Sequence, residues 1–414
     1  MQQLESSFER AEKLIERGRS QEAIELLEPL LQRHPRVPEL HYFLGYARAS
    51  AGDFWRALTS YERALQLSRD PAYWIPLASL YLNLDLHVHA LHAFRELFRQ
   101  QAELPMADEA RQVMASLEQE VLDIALHLEI SVEEAERGLH YWEEGRRTLQ
   151  AGDFPACIAA NRRAIKVLGD WPPPHNNLSL GLFFNGQPEE AIAVARKVLS
   201  YDPDNIQALS NTIRFLAWTG REGEARQFWE RLRDIPPQSE ADRMKKAEAA
   251  AVLDEDESVY ELLKPLDSTD EVTNGVAQGS WRDQLFLAIA EANTNRRRAA
   301  KRRLKAMQHI APWIEELLTA LDAGQPGPGW AERFPYFHSS EMISGQAMET
   351  FVDLVSHEEE MSPRRFRREV ERFLARYPQL IQVAEKLIWE ESQAEVGISI
   401  LTVIGTPAAY SALR

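Results

Sequence analysis

Apolar positions in this chain recur at helical spacing, in stretches of about a dozen residues separated by glycine-containing turns. The clearest unit is AGDFWRAL at 51–58, which returns as AGDFPACI at 151–158. Looser copies are RGRSQEAI (17–24), NGQPEEAI (185–192) and TGREGEAR (219–226). Gly18 and Gly52 are 34 residues apart, as are Gly152 and Gly186, and Gly186 and Gly220. Five places after each turn glycine stands a small residue: Ala23, Ala57, Cys157, Ala191 or Ala225. A fixed period of this length predicts a stack of structural repeats, and the helical spacing of its apolar positions predicts that they are nearly all α-helix. The glycine ends one helix and the polar residue after it starts the next. The small residue lets the two helices cross closely.

Residues 103–130 break the pattern: MADEARQVMASLEQEVLDIALHL (106–128) reads as one long amphipathic helix without a glycine turn. Ser131 and Glu134 then have the spacing of a capping box. Residues 239–253 and 256–264 predict a degenerate helix pair, and 266–280 a linker-like loop. A repeat recovers over 281–312, with Leu287, Ala288, Asn295 at the turn, Ala300, Leu304, Met307 and Pro312. AGQPGPGW (323–330) is the clearest boundary, and helices are expected near 345–359, 362–376 and 378–391.

The phase of these positions resembles the tetratricopeptide repeat, W-x2-L-G-x2-Y…A-x3-F…P. Leu44, Gly45, Gly52, Ala57, Tyr61 and Ala64 carry it in one unit; Trp74, Leu77, Ala78, Tyr81, Ala90 and Phe94 carry it in the next. The resemblance implies a right-handed α-solenoid over 1–237, degenerate pairs over 238–322 and a helical C-terminal region over 323–414. At 404–413 the stretch Ile-Gly-Thr-Pro-x-Ala-x-x-x-Leu resembles a HEAT-like repeat, with Pro407 opening a helix. The chain stops as that helix begins, which suggests a stack cut there or covered by a partner.

The same resemblance implies that the first helix of each pair lines a concave groove. By register that groove offers Tyr42, Tyr46, Trp142, Arg146, Asn176, Asn177, Phe184, Asn211, Arg214 and Trp218 as partner-binding residues. Asparagines at Asn177 and Asn211 would hold an extended backbone, because a carboxamide both donates and accepts. A chaperone-type carboxylate clamp needs a lysine where Phe8, Tyr42, Ile75, Trp142, Asn176 and Ser210 stand.

Composition narrows the function further. With 414 residues, two or three domains are expected. A net charge of −17 argues against general nucleic-acid binding and against anionic membranes. No apolar run is long enough to span a bilayer, and the N-terminus lacks a signal-peptide core. The single cysteine, Cys157, excludes an internal disulfide, fits a cytoplasmic setting, and occupies a small-residue position that predicts burial. No phosphate-binding loop, zinc-protease or nucleophile-elbow motif occurs, so neither catalysis nor a cofactor is expected. His87, His89 and His92 sit where a solvated helix start is expected, with a metal as the sharper alternative. Two basic stretches, 296–305 and 363–377, read as solvated faces, or as contacts for RNA, a nucleotide or an acidic partner. The leading expectation is a non-catalytic scaffold binding a protein or peptide. The alternative is a regulatory or sensor subunit working through the basic helices.

Overall fold

The computed structural model describes the whole chain except Met1, Arg69, 101–106, 265–280, Pro312, Trp330, 390–392 and Arg414. The expected loop at 266–280 and the closing Pro312 therefore lie outside the described residues. The fold is an all-α repeat, and no strand occurs among the described residues. It divides into two compact units, 1–151 with 159–171, and 152–158 with 172–414.

The first unit contains α1 (Gln2–Glu16), α2 (Ser20–Arg33), α3 (Pro38–Ser50), α4 (Phe54–Leu67), α5 (Trp74–Asn83), α6 (His87–Gln100), α7 (Ala107–Leu128), α8 (Val132–Gln150) and most of α9 (Phe154–Leu168). The second unit begins with the pairs α10 (Pro172–Phe184) and α11 (Pro188–Tyr201), α12 (Ile206–Trp218) and α13 (Glu222–Asp234), and α14 (Glu240–Val252) and α15 (Asp256–Leu263). The pair α16 (Trp281–Asn293) and α17 (Arg297–Met307) follows, then α18 (Trp313–Asp322). Beyond these come α19 (Ser339–Met342), α20 (Gly345–Ser356), α21 (Pro363–Arg376), α22 (Leu380–Trp389), α23 (Ala394–Ile404) and α24 (Pro407–Ala412).

The turns explain the period. Gly52 has φ +81°, and the N–H of Asp53 donates to the Arg48 carbonyl at 2.8 Å, closing the last turn of α3. Asp53 then accepts from the Arg56 N–H and caps α4. Asp85, Asp254 and Asn295 take the same left-handed conformation, at φ +52°, +63° and +65°. Each is followed by the same closing bond: Leu86 to Tyr81, Glu255 to Ala250, Arg296 to Glu291. Asp and Asn tolerate this region better than other side chains, so these turns persist without glycine.

Behind each turn the small residues are sealed: Ala23, Ala57, Ala90, Cys157, Ala191 and Ala225 are 0% exposed. The long helix α7 is real, and its neighbour α8 starts at the capping box. There Ser131 Oγ accepts from Glu134 N–H, and Glu134 accepts from Ser131 N–H. Val121, Ala125, Ala135 and Leu139 join α7 to α8 through one apolar cluster.

Cys157 shows how tight the crossing is. A methyl group added at Gly181 would come within 2.9 Å of its Sγ. In an open helix Gly→Ala gains about 1 kcal/mol, whereas overpacking a core costs about 1–3 kcal/mol. Gly181→Ala is therefore expected to lower the urea midpoint in the native background and to become neutral or stabilising with Cys157→Ala. Equal effects in both backgrounds would contradict the close crossing.

Candidate functional site

The residues that register places on the inner face have different surroundings in the two units. In the first unit Tyr42 is half-buried, its ring 5.7 Å from Tyr61 and 5.2 Å from Tyr73, and burial pushes its phenol up from the ordinary range. Tyr46, one turn on, is 37% exposed, and Ile75 of α5 is 45% exposed. Trp142 packs edge-on to Trp171 at 5.1 Å and carries the Arg146 guanidinium 5.3 Å above its ring. Arg146 donates to the carbonyls of Asp85 at 2.8 Å and Leu84 at 3.3 Å. It closes the turn after α5 rather than standing free in a groove.

In the second unit the expected asparagines hold helices together. Asn211 is 0% exposed; its amide donates to the Asn176 carbonyl and to Ser179 Oγ, and its oxygen accepts from Gln207. It lies between α10 and α12, so the expectation of a surface residue there is corrected. Asn176 is 6% exposed and donates to Asn205, the cap of α12. Asn177 is half-buried, and its carbonyl lies 3.8 Å from Cys157 Sγ. Phe184 stacks on Phe154 at 5.6 Å, beside a cavity that Arg376 and Tyr377 also line.

Arg214 does not await an acidic ligand. It is 7% exposed, and its Nη1 lies 3.0 Å from Glu248 Oε2 of α14. Lys245 reaches the same carboxylate at 3.2 Å, and Arg282 of α16 approaches it at 3.7 Å. Burial alone would push the Glu248 carboxyl up, but the charges of Lys245, Arg214 and Arg282 outweigh it and hold the group at about 2. Arg214 also lies 4.9 Å over the Trp218 ring.

Trp218 is 3% exposed because the chain's own Phe337 meets it edge-on at 5.4 Å. Phe337 belongs to the non-helical stretch 331–338, which follows α18 and lies across this face. Phe334, Tyr336 and Phe337 are 1%, 3% and 4% exposed. Asn293, the last residue of α16, binds the backbone of Phe334 on both sides: its Oδ1 accepts the N–H at 2.8 Å and its Nδ2 donates to the carbonyl at 3.0 Å. A carboxamide reading an extended backbone was expected, but at Asn177 and Asn211. A signal was available in Asn293's place at the turn end of its repeat's first helix, two residues before the Asn295 turn.

The histidines and basic stretches are also placed. His89 is 7% exposed, not solvated; its Nδ1 lies 2.6 Å from Glu143 Oε2, and the same carboxylate accepts the N–H groups of Val88 and His89. His87 pairs with Glu120 and His92 with Glu136. Among the described residues no cluster of three metal-ligating side chains occurs. In 296–305, Arg303 is buried against Glu291 and Gln284, Arg296 pairs with Glu257, and Lys301 with Asp322. On α21, by contrast, Arg364, Arg365, Arg367 and Arg368 are exposed. No described helix is long and apolar enough to cross a membrane.

Comparison with known proteins agrees with the repeat. Models of the tetratricopeptide repeat match residues 8–73 and 182–251. The TPR repeat-containing protein YvcD of Bacillus subtilis (strain 168) is 24% identical over 127 residues, covering 31% of this chain and 26% of that protein. The chain thus spans about a quarter of that relative's length. Similar solved structures include two named as tetratricopeptide-repeat proteins. YrrB, described as a TPR protein with an unusual peptide-binding site, is 14% identical and covers 53% of this chain and 97% of its own, with a TM-score of 0.27. The P58(IPK) TPR domain is 16% identical and covers 78% and 98%, with a TM-score of 0.29.

Two outcomes follow. Asn211→Ala should cost about 1–3 kcal/mol in denaturant unfolding, because buried partners on α10 lose their donor; no change would place Asn211 outside the helix contact. Glu248 has a folded pKa of about 2, below its ordinary 4.5. Its contribution is therefore complete above about pH 4.5 and is lost as pH falls toward 2. The stability gap between the native protein and Glu248→Gln should shrink over that window, and a constant gap would contradict the buried charge.

Proposed function

We propose that this chain, a tetratricopeptide-repeat protein, is a non-catalytic cytoplasmic scaffold that binds a peptide or helix of a partner protein on the inner face of its repeats. Stacked helix pairs bury the faces between neighbours and leave the first helix of each pair with one face unpacked. The observation that carries the reading is the pair Tyr46 and Ile75, large apolar side chains left 37% and 45% exposed on the first helices of successive repeats. Exposed apolar surface of this kind is where a helix-in-groove or extended-peptide partner gains most.

A second reading rests on Arg364, Arg365, Arg367 and Arg368, exposed at the start of α21. The partial positive charge of a helix N-terminus adds to theirs, which favours an acidic or phosphate-bearing contact. Salt separates the two: phosphate binding falls steeply between 50 and 200 mM salt, whereas an apolar groove contact changes little.

The partner would be identified by capture from the source cytoplasm and then measured as a purified pair. Tyr46→Ala with Ile75→Ala is expected to weaken that pair at least tenfold while stability moves by no more than about 0.5 kcal/mol per site. Unchanged affinity would take the partner off this face.

A further inference from the structure

We infer that the inner face of α12, α14 and α16 is a binding groove for an extended aromatic peptide preceded by a cation, and that residues 333–338 of the same chain are its resident occupant. The inference deepens the scaffold reading by naming the ligand chemistry of one of its faces.

Three observations carry it. The first is the backbone contact: Asn293 takes both the N–H and the C=O of Phe334, a contact independent of the side chain it holds. Pro335 disfavours the helical region for Phe334, so no helix runs through the contact. The second is a set of pockets drawn from three successive repeats. Arg333 reaches the carboxylates of Asp254 and Asp256 at the start of α15. The Tyr336 hydroxyl donates to Asp256 Oδ1 at 2.6 Å, and its ring lies 5.3 Å from Phe286 of α16. Phe337 stands edge-on to both Phe286, at 5.3 Å, and Trp218 of α12, at 5.4 Å.

The third is space: the segment leaves a cavity of about 600 Å³ along its flank, lined in part by Trp313, Glu316, Gln382 and Glu385. A partner segment therefore has room to enter beside the resident one.

The occupant's chemistry defines the partner: a segment of another protein with a basic residue followed by aromatics in the order Phe-x-Tyr-Phe. Such a partner competes with an intramolecular ligand, whose effective concentration is on the order of millimolar.

The test uses the full chain and a labelled peptide of residues 331–340. Binding to the native protein should be weak. Tyr336→Ala with Phe337→Ala frees the groove and should tighten peptide binding at least tenfold, and adding Asn293→Ala should reverse that gain. A released variant that keeps its helical circular dichroism yet does not bind the peptide overturns the proposal. If the released variant does not fold, hydrogen exchange on the native protein decides. Phe334 and Phe337 amides exchanging ahead of α16 support a resident ligand; exchange in step with α16 makes the segment core and overturns it. Neither result touches the Tyr46 and Ile75 measurement, so the two readings fail separately.

Discussion

The close crossing of paired helices is the constraint from which the rest follows. It favours a small residue at the contact, Ala or Cys in most pairs and Val259 in one, and a left-handed residue at the turn before it, and the chain supplies both at nearly constant spacing. Cys157 under Gly181 leaves no room for one further carbon. Once the pairs are locked in this way, side chains between pairs fill the stack. What the crossings leave unset is the inner face of the first helices.

The two units treat that face differently. In the first, Tyr42 is wedged among neighbouring rings while Tyr46 and Ile75 meet solvent. In the second, the face carries charge: Arg214, Glu248, Lys245 and Arg282 form one network under Trp218 and Phe286. A buried pair is close to break-even against its desolvation, so this network adds little net stability by itself. Its fixed charges and the two rings instead make a shaped floor on which Phe337 and Tyr336 sit. Arg333 at one end and Glu341 of α19, bound to Arg282, at the other hold the segment across it.

Much of the fold was legible because packing at the crossings repeats in sequence. The glycine turns, the small residues, the long helix α7, the capping box at Ser131 and the helices after 345 all stand where periodicity and caps place them. Turns at Asp85 and Asp254 were harder to read, since an aspartate is ordinary in a helix-rich chain and only its positive φ marks it. The site was legible only in part. Arg214 lies 4.9 Å over the Trp218 ring, but register cannot show that Glu248, 34 residues on, neutralises the arginine. Nor can it show that a non-repeating stretch, 331–338, returns to cover the tryptophan. Asn211 was misplaced because a polar residue between two first helices and one facing a groove share the same repeat position; only contacts across α10 separate them. Charge counts likewise failed to separate the two basic stretches: Arg296, Lys301 and Arg303 of the first are held in ion pairs, and α21 keeps four exposed arginines at its start.

The central claim is that Phe337 occupies a ligand position rather than a core position. Fluorine NMR of the protein carrying 4-fluorophenylalanine at 337 addresses it directly. Held between Trp218 and Phe286, the label should give one ring-shifted resonance in the free protein. Unlabelled peptide of residues 331–340, in millimolar excess, should bring up a second resonance at the solvent position, growing with peptide concentration. A single buried resonance at every peptide concentration would contradict the account.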